Sequence, residues 1–253
     1  MKADFAFPRR FVASPIADLA RRGRCMARAL VGRDVYRRAQ LHVKKERHGG
    51  RALTGYGAWT ICPDVISSRS IVYSVGVGDD ISFEVSLIRS FALPTVFVLD
   101  PTPTSISWLS RQHVPREFKL FHYAIADYNG TEQFFPHDNP DFVAHSLIPR
   151  KATAEQAVEV QVRTLDSVMS ELGHDHIDLL KMDIEGSEYA VVESLLCQNV
   201  DVRQLLVEFH HLDRHTDGMN ATRTKGAIRK LNRAGFKIFH VTPAGQEYSF
   251  LRT

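Results

Sequence analysis

Acidic and histidine side chains follow two apolar segments in the second half of the chain. Asp183 and Glu185 come directly after the apolar run 177–182, and His210 follows a second run that ends with Glu208. Such carboxylates are costly to bury without a task, although acids are also common where a helix begins. A carboxylate or a neutral histidine can take a proton from a hydroxyl group. We therefore predict a base drawn from Asp183, Glu185 and His210, or a metal site in which Glu208 and His210 take part.

Two earlier strand-like segments are followed by residues suited to a nucleotide. Gly76 and Gly78 lie in a short loop, where glycine lets the backbone turn sharply and lets a ligand approach it. Asp100 ends the next segment, and a carboxylate at that point can accept both hydrogen bonds of a ribose diol. Each feature also occurs without a ligand, the loop as an ordinary strand-to-helix turn and Asp100 as a helix cap.

The segment 124–127 follows a third strand-like run and offers small side chains with one carboxylate. Ala126 provides a flat contact and Asp127 an acceptor for an exocyclic amine, a combination suited to the edge of an adenine. Asp127 also opens the sequence Asp-Tyr-Asn-Gly, which is typical of a turn. With the glycine loop and Asp100, this segment predicts a site for an adenosine-containing ligand.

Strands and helices alternate beyond residue 50. The expected strands are 71–75, 95–99, 118–123, 131–135, 158–162, 177–182, 205–208, 236–241 and 247–251, and the expected helices are 82–90, 105–112, 165–172, 188–196 and 222–234. This alternation predicts a doubly wound, mostly parallel α/β sheet. The last two strands must pair antiparallel, because the link 242–246 is too short for a parallel crossover.

A parallel sheet that ends in an antiparallel hairpin is the arrangement of class I methyltransferases. We therefore predict a seven-stranded Rossmann-like sheet with an antiparallel C-terminal hairpin, in one domain over residues 51–253, with 131–135 and 158–162 as additional strands. In such a sheet, ligands bind beyond the carboxyl ends of the strands, which is where the candidate residues lie. The hairpin and the incomplete Gly-x-Gly-x-x-Gly pattern argue against a nicotinamide-dependent oxidoreductase.

Residues 1–50 form a basic N-terminal extension that is expected to be partly helical. They hold 13 Lys and Arg against 4 Asp and Glu, whereas the rest of the chain holds 19 against 25. Apolar residues between 16 and 30 recur at helical spacing among arginines. Three interpretations remain open: a helix packed on the domain, a contact with an anionic membrane or an acidic partner, and a targeting peptide.

Composition places the protein among ordinary globular chains. Apolar residues make up 44% and charged residues 24% of the 253 residues, and the three cysteines show no metal-ligand spacing. Unpaired cysteines and the lack of a long apolar run lead us to expect a cytoplasmic protein. The sequence predicts no particular oligomeric state.

The segment 180–188, Leu-Lys-Met-Asp-Ile-Glu-Gly-Ser-Glu, resembles the K-[IM]-D-[IV]-E-G-x-E signature of the FkbM family of SAM-dependent methyltransferases, where SAM is S-adenosylmethionine. Further stretches fit the same family in order, at 74–80, 97–103, 124–127, 162–166 and 206–210. The resemblance covers roughly residues 55–251. The signature at 180–188 is the specific part, since glycine loops occur in many folds.

The resemblance implies O-methylation with SAM as methyl donor, the acceptor being a hydroxyl of a sugar, a glycan or a natural-product-like small molecule. It places Asp183 and Glu185 near the reacting centre. The residues expected to contact SAM are Gly76, Gly78, Asp79, Asp100, Ala126, Asp127 and Asp183. The chain departs from the family at Ser74, where an acid is usual, and at Asp80, where a glycine is usual, so Asp79 or Asp80 is expected to meet the amino group of SAM.

Two other functions stay open at this point. Ser74 and Asp80 are compatible with a SAM-binding regulatory protein that has lost catalysis. The basic extension is compatible with a nucleic-acid methyltransferase, but no Asn/Asp-Pro-Pro-Tyr pattern follows the fourth strand, so we do not expect nucleic acid as a partner.

Overall fold

A computed structural model describes residues 39–50, 57–137, 145–149, 151–211 and 221–253. Its strands are β1 (Glu46–His48), β2 (Trp59–Ile61), β3 (Val72–Val75), β4 (Val96–Leu99), β5 (Phe118–Phe121), β6 (Tyr123–Ile125), β7 (Gly130–Pro136), β8 (His145–Ser146), β9 (Val158–Arg163), β10 (Ile177–Met182), β11 (Val202–Glu208), β12 (Phe236–Val241) and β13 (Glu247–Arg252). Its α-helices are α1 (Ser82–Phe91), α2 (Pro103–Leu109), α3 (Leu165–Leu172), α4 (Glu188–Cys197) and α5 (Ala221–Arg233), with 3-10 turns at Pro63–Val65 and Lys151–Gln156. The basic helix expected over residues 16–30 lies outside the described residues.

The central sheet has seven strands in the order β12-β13-β11-β10-β3-β4-β5. β13 runs antiparallel to both of its neighbours, as the short link before it required, while the other pairings are parallel. Met182 at the end of β10 is aligned with Val75 of β3 and Val207 of β11. The carboxyl ends of these strands therefore meet at one edge of the sheet.

Helices cover both faces of this sheet. All six residues of β10 are buried, including the charged Asp178 and Lys181, as expected for a parallel strand that is covered on both faces. Leu180 belongs to the core that includes α3, α4 and α5, whereas Leu179 belongs to the core on the other face, with α1 and α2. Within the described residues, no helix is both long and apolar enough to cross a membrane.

Helix α3 begins and ends as the sequence predicted. The Oγ1 of Thr164 accepts a hydrogen bond from the Ser167 N–H at 3.2 Å, and Gly173 closes the helix in the left-handed conformation at φ 71°. These caps satisfy backbone groups that would otherwise have no partner at the helix ends.

A second sheet, in the order β6-β9-β7-β8, covers part of the carboxyl edge. The single strand predicted over 118–123 is wrong, because the structure has two strands there, β5 in the central sheet and β6 in the second sheet. The chain leaves the central sheet after Phe121, and β6 pairs in parallel with β9, with Ala124 opposite Val162. Ala124, Phe134 and Val162 share a small core of their own. A local sequence pattern cannot reveal this exchange of sheets, because β9 lies far from β6 along the chain.

The described end of the basic extension lies against the domain. β1 pairs antiparallel with β2, and the N–H groups of Gln40 and Leu41 both donate to the carbonyl oxygen of Ile238. The ring of His48 is 2.9 Å from the hydroxyl of Ser86 on α1. Residues 40 and 41 are therefore held against β12, and residue 48 is held against α1.

Candidate active site

A cleft opens at the carboxyl ends of β3, β4, β10 and β11. The glycine loop after β3, residues 100–102, residues 123–125, residues 183–185 and Glu208 all line it. The loop, Asp100 and the acids after β10, predicted from separate segments, are thus brought together.

The glycine loop is in backbone contact with the end of β10. Gly76 and Gly78 have φ values of 76° and 58°, in the left-handed region that favours glycine. A β-carbon on Gly76 would overlap the carbonyl oxygen of Asp183, and the N–H of Asp183 donates to Val75 at 3.0 Å. The absence of a side chain at position 76 therefore sets how closely the loop approaches Asp183.

Asp100 holds the same loop from the neighbouring strand. One carboxylate oxygen accepts hydrogen bonds from the N–H groups of Val77, at 3.0 Å, and Gly78, at 3.1 Å. The other accepts from the N–H of Thr102 at 2.8 Å. Asp100 therefore forms the cap that the sequence offered as one alternative, and it also lines the cleft, while its contact with a ribose stays a prediction.

Asp183, Glu185 and His210 converge as the sequence predicted. The Nε2 of His210 lies 3.6 Å from Oδ1 of Asp183 and 3.8 Å from Oε1 of Glu185. The side chains of Asp183 and Glu185 remain 28% and 23% exposed, whereas that of His210 is 9% exposed. The two acids are therefore open to a ligand, and the imidazole lies behind them.

The sequence did not predict the part played by Glu188. This side chain is fully buried, and its Oε1 lies 2.5 Å from Nδ1 of His210. The same oxygen accepts from the N–H of Gly186 at 3.0 Å. Glu188 therefore joins the glycine turn of the signature to the imidazole and fixes the ring so that Nε2 faces Asp183 and Glu185.

The electrostatic environment favours a proton on both His210 and Glu208. Burial by itself lowers the pKa of His210, but the carboxylates of Glu188 and Glu185 raise it well above its usual value. Burial, followed by the charge of Asp183, raises the pKa of Glu208 to about 8. These carboxylates favour the protonated imidazole over a neutral His210, the form that the sequence predicted as a base.

A buried polar cluster lies beneath the glycine loop. The hydroxyl of Ser74 donates to Oε1 of Glu84 at 2.6 Å, and Glu84 is 1% exposed. Burial raises the pKa of Glu84, an effect that the charge of Lys181 opposes. Lys181 donates to the carbonyl oxygen of Gly76 and lies 5.5 Å from the centre of the Trp59 ring. A side chain from α1 thus brings an acidic group into contact with Ser74, at the position where an acid is usual.

We did not predict a role for Glu84 from the sequence, although its position on an amphipathic helix indicated one. Glu84 lies three and four residues before Leu87 and Ile88, on the apolar face of α1, and all three side chains are buried. An acid on the buried face of an amphipathic helix requires a polar partner, which is Ser74 here.

The structure does not bring Ala126 and Asp127 into the cleft. The N–H of Ala126 donates to the carbonyl oxygen of Arg163 in the second sheet, and Asp127 is exposed. Residues 123–125 line the cleft in their place. The reason is the departure of β6 from the central sheet, which turns the segment that follows it away from the carboxyl edge.

Asp79 and Asp80 both line the cleft. One oxygen of Asp80 also accepts a hydrogen bond from the N–H of Ser82 at 2.8 Å, at the start of α1. Asp80 therefore supports the first turn of that helix, where a glycine would provide no acceptor.

Comparison with known proteins agrees with this geometry. The model of the methyltransferase FkbM domain matches residues 63–238, and the chain therefore belongs to this family of methyltransferases. The probable methyltransferase-like protein 24 of Homo sapiens is 26% identical over 201 residues, which cover 72% of this chain and 47% of that protein. The Rattus norvegicus protein of the same name is 27% identical over 202 residues, covering 72% and 48%. The chain spans about half the length of these curated relatives.

Solved structures show weaker likeness. The fibrillarin pre-rRNA processing protein of Methanococcus jannaschii is 10% identical, with a TM-score of 0.40, and the match covers 74% of this chain and 67% of that one. The TYW2 protein of M. jannaschii, solved in complex with AdoMet, is 10% identical, with a TM-score of 0.33 and coverage of 84% and 90%. At these scores neither structure bears on the function of this chain.

Proposed function

We propose that the protein is a SAM-dependent methyltransferase that transfers a methyl group to a hydroxyl oxygen of a small molecule or glycan. The observation that carries the proposal is the convergence of Asp183, Glu185 and His210 beside a glycine loop anchored by Asp100. Membership of a methyltransferase family supports methyl transfer, and the identity of the donor and of the acceptor atom is our inference from this site.

The cleft suits the charge of SAM. It is lined by acidic side chains from several elements, including Asp79, Asp80, Asp100, Asp183 and Glu185. SAM carries a sulfonium and an ammonium group against one carboxylate, and a concentration of acidic side chains attracts such a net cation. The bare backbone at Gly76 and Gly78 lets the ligand approach the main chain, and Asp100 is an acceptor for the ribose hydroxyls.

The reaction needs alignment and a proton acceptor. A bond forms between the hydroxyl oxygen and the methyl carbon while the sulfur–methyl bond breaks, so the sulfonium becomes a neutral thioether. Holding the oxygen, carbon and sulfur in line contributes several kcal/mol, on the order of 7–11 in the best cases. The hydroxyl proton passes to a carboxylate, and we assign this role to Asp183, which lies nearest the end of β10 and is partly exposed to the cleft.

Titration calorimetry with SAM and S-adenosylhomocysteine tests the donor. We expect binding in the micromolar range by the wild type and a loss of at least about tenfold for Asp100→Ala, because this carboxylate both faces the ligand and holds the loop. Asp166→Asn is the matched control, since Asp166 is an exposed acid on α3, and it should bind as the wild type does. No binding of either ligand to the wild type would refute the proposal.

Radiolabelled methyl transfer to a panel of sugars and polyols tests the chemistry. Asp183→Asn should lower turnover by about 100-fold or more while SAM still binds, because the variant cannot accept the proton. Near-normal turnover by Asp183→Asn would exclude Asp183 as the base. Binding of SAM without transfer to any acceptor hydroxyl would favour the regulatory alternative over an O-methyltransferase.

A further inference from the structure

The cluster of Asp183, Glu185 and His210 has the composition of a metal site. Each residue offers one ligand atom, and these atoms lie within 4.8 Å of one another. The three side chains come from two neighbouring strand ends, so the rigid central sheet holds them together. A set of two carboxylates and one imidazole, with open positions towards the cleft, suits a first-row divalent cation such as Mn²⁺.

The orientation of His210 is a second and independent sign of a ligand. The residue is 7% exposed, and its Nδ1 is held by the fully buried Glu188 at 2.5 Å. Within the described part of the chain, no hydrogen bond joins Nε2 to a carboxylate, because Oδ1 of Asp183 lies at 3.6 Å and Oε1 of Glu185 at 3.8 Å. The imidazole of this buried residue thus faces two carboxylates that stand too far away for a hydrogen bond.

The contact between Glu188 and His210 also matches what metal sites require. A histidine that binds a metal through one nitrogen usually donates its other N–H to a carboxylate, which fixes the ring and its tautomer. Glu188 itself is fixed by the N–H of Gly186, which donates to Oε1 at 3.0 Å. Residues 183–188 of the signature therefore supply two ligands, Asp183 and Glu185, together with the positioning residue Glu188.

We propose that Asp183, Glu185 and Nε2 of His210 bind one divalent cation, with Glu188 as the positioning residue for the imidazole. The catalytic role of this cation rests on the proposed methyl transfer, whereas the binding of the cation does not. A cation beside Asp183 would hold the acceptor oxygen and stabilise the negative charge that this oxygen gains as its proton leaves. Asp183 would bind through one carboxylate oxygen and accept that proton on the other.

The experiment is a titration of the chelator-treated full chain with MnCl₂, without SAM, followed by the electron paramagnetic resonance signal of free Mn²⁺. We expect one strong site per chain. His210→Gln and Glu185→Gln should each weaken binding by at least about tenfold, and Glu188→Gln by about 10–100-fold. Far-ultraviolet circular dichroism of each variant separates loss of the site from loss of the fold, and Glu185→Gln, at a partly exposed position, provides a folded variant if His210→Gln unfolds.

His176→Gln is the matched control. His176 also lies beside two carboxylates, Asp175 at 2.6 Å and Asp178 at 3.6 Å, but on the surface with 44% of its side chain exposed. Its replacement should leave Mn²⁺ binding unchanged. The metal proposal is overturned if the wild type binds neither Mn²⁺ nor Zn²⁺, or if His210→Gln and Glu185→Gln bind Mn²⁺ as tightly as His176→Gln does.

Failure of the cation proposal can be distinguished from failure of the proposed function. Mn²⁺ binding in a protein that binds no SAM would retain the cation site and refute the methyltransferase proposal. Methyl transfer that persists at full rate in excess chelator would retain the proposed function and refute the cation's catalytic role.

Discussion

Gly76 and Asp183 touch through their backbones, with no room for a side chain between them. A β-carbon on Gly76 would lie 2.9 Å from the carbonyl carbon of Asp183 and would overlap its carbonyl oxygen. Gly76 belongs to the loop after β3, and Asp183 follows β10. Gly76, which is expected to contact SAM, is thereby held at a set distance from Asp183, which is expected to accept the proton of the hydroxyl that is methylated.

Gly76→Ala is therefore expected to disrupt this edge of the sheet. The left-handed φ of 76° costs a non-glycine residue about 1–2 kcal/mol, and the overlap with the Asp183 carbonyl adds to this cost. Urea unfolding should show a loss of at least about 1–2 kcal/mol, and calorimetry should show weakened SAM binding.

Gly226→Ala is the control for that substitution. Gly226 lies inside α5, and a β-carbon there would meet no atom within 4 Å. Alanine is a better helix former, so a gain of about 0.5–1 kcal/mol is expected with unchanged SAM binding. A Gly76→Ala variant as stable as Gly226→Ala would contradict the backbone contact.

Lys181→Met should destabilise the protein strongly. Lys181 is 4% exposed and donates to the carbonyl oxygen of Gly76, and its charge opposes the rise in the pKa of Glu84, so its removal leaves that carbonyl without its donor and favours protonation of Glu84. A loss of about 1–3 kcal/mol in urea unfolding is expected. The double variant Lys181→Met/Glu84→Gln should lose less than the two single variants added together. Additive losses would show that the two charges do not interact.

Asp127→Ala should leave SAM affinity within about twofold of the wild type, since the structure places Asp127 outside the cleft. The same measurement on Asp100→Ala provides the positive comparison, because Asp100 lines the cleft. A loss of tenfold or more in Asp127→Ala would support the adenine contact expected from the sequence. It would also mean that the loop after β6 rearranges when SAM binds.

His48 should make stability fall in mild acid. Burial lowers the pKa of His48 below its usual 6.5, partly opposed by Glu46. The unfolded chain then binds a proton more readily than the folded one, so stability is complete above about pH 6.5 and is lost as the pH falls below it. His48→Asn, which retains a polar atom for Ser86, should show a smaller loss in urea unfolding between pH 7.5 and 5.5.

His176 provides a control of opposite sign. A hydrogen bond that His176 donates to Asp175 raises the pKa of His176 above 6.5, so its contribution is present at low pH and is lost as the pH rises through the raised value. His176→Asn should therefore increase the loss of stability on acidification relative to the wild type. Equal pH profiles for His48→Asn and wild type would show that His48 is accessible to solvent when folded.

Much of the fold was predictable because the signals are local. The buried strand β10 and the capped helix α3 were predicted to within a residue, since apolar runs, Thr164 and Gly173 act on their own neighbours. The antiparallel pairing of β12 with β13 followed from the length of one link. The exchange of β6 into the second sheet was missed, because its partner β9 is remote in sequence.

For the site, the sequence by itself determined which residues carry charge at the ends of β10 and β11, namely Asp183, Glu185 and His210. Only the tertiary structure decided that Glu188 orients His210 and that Glu84 lies against Ser74. It also decided that Asp127 is exposed and does not line the cleft. The physical reason is that these relations join different strands and helices, and their distances depend on how the elements pack rather than on spacing along the chain.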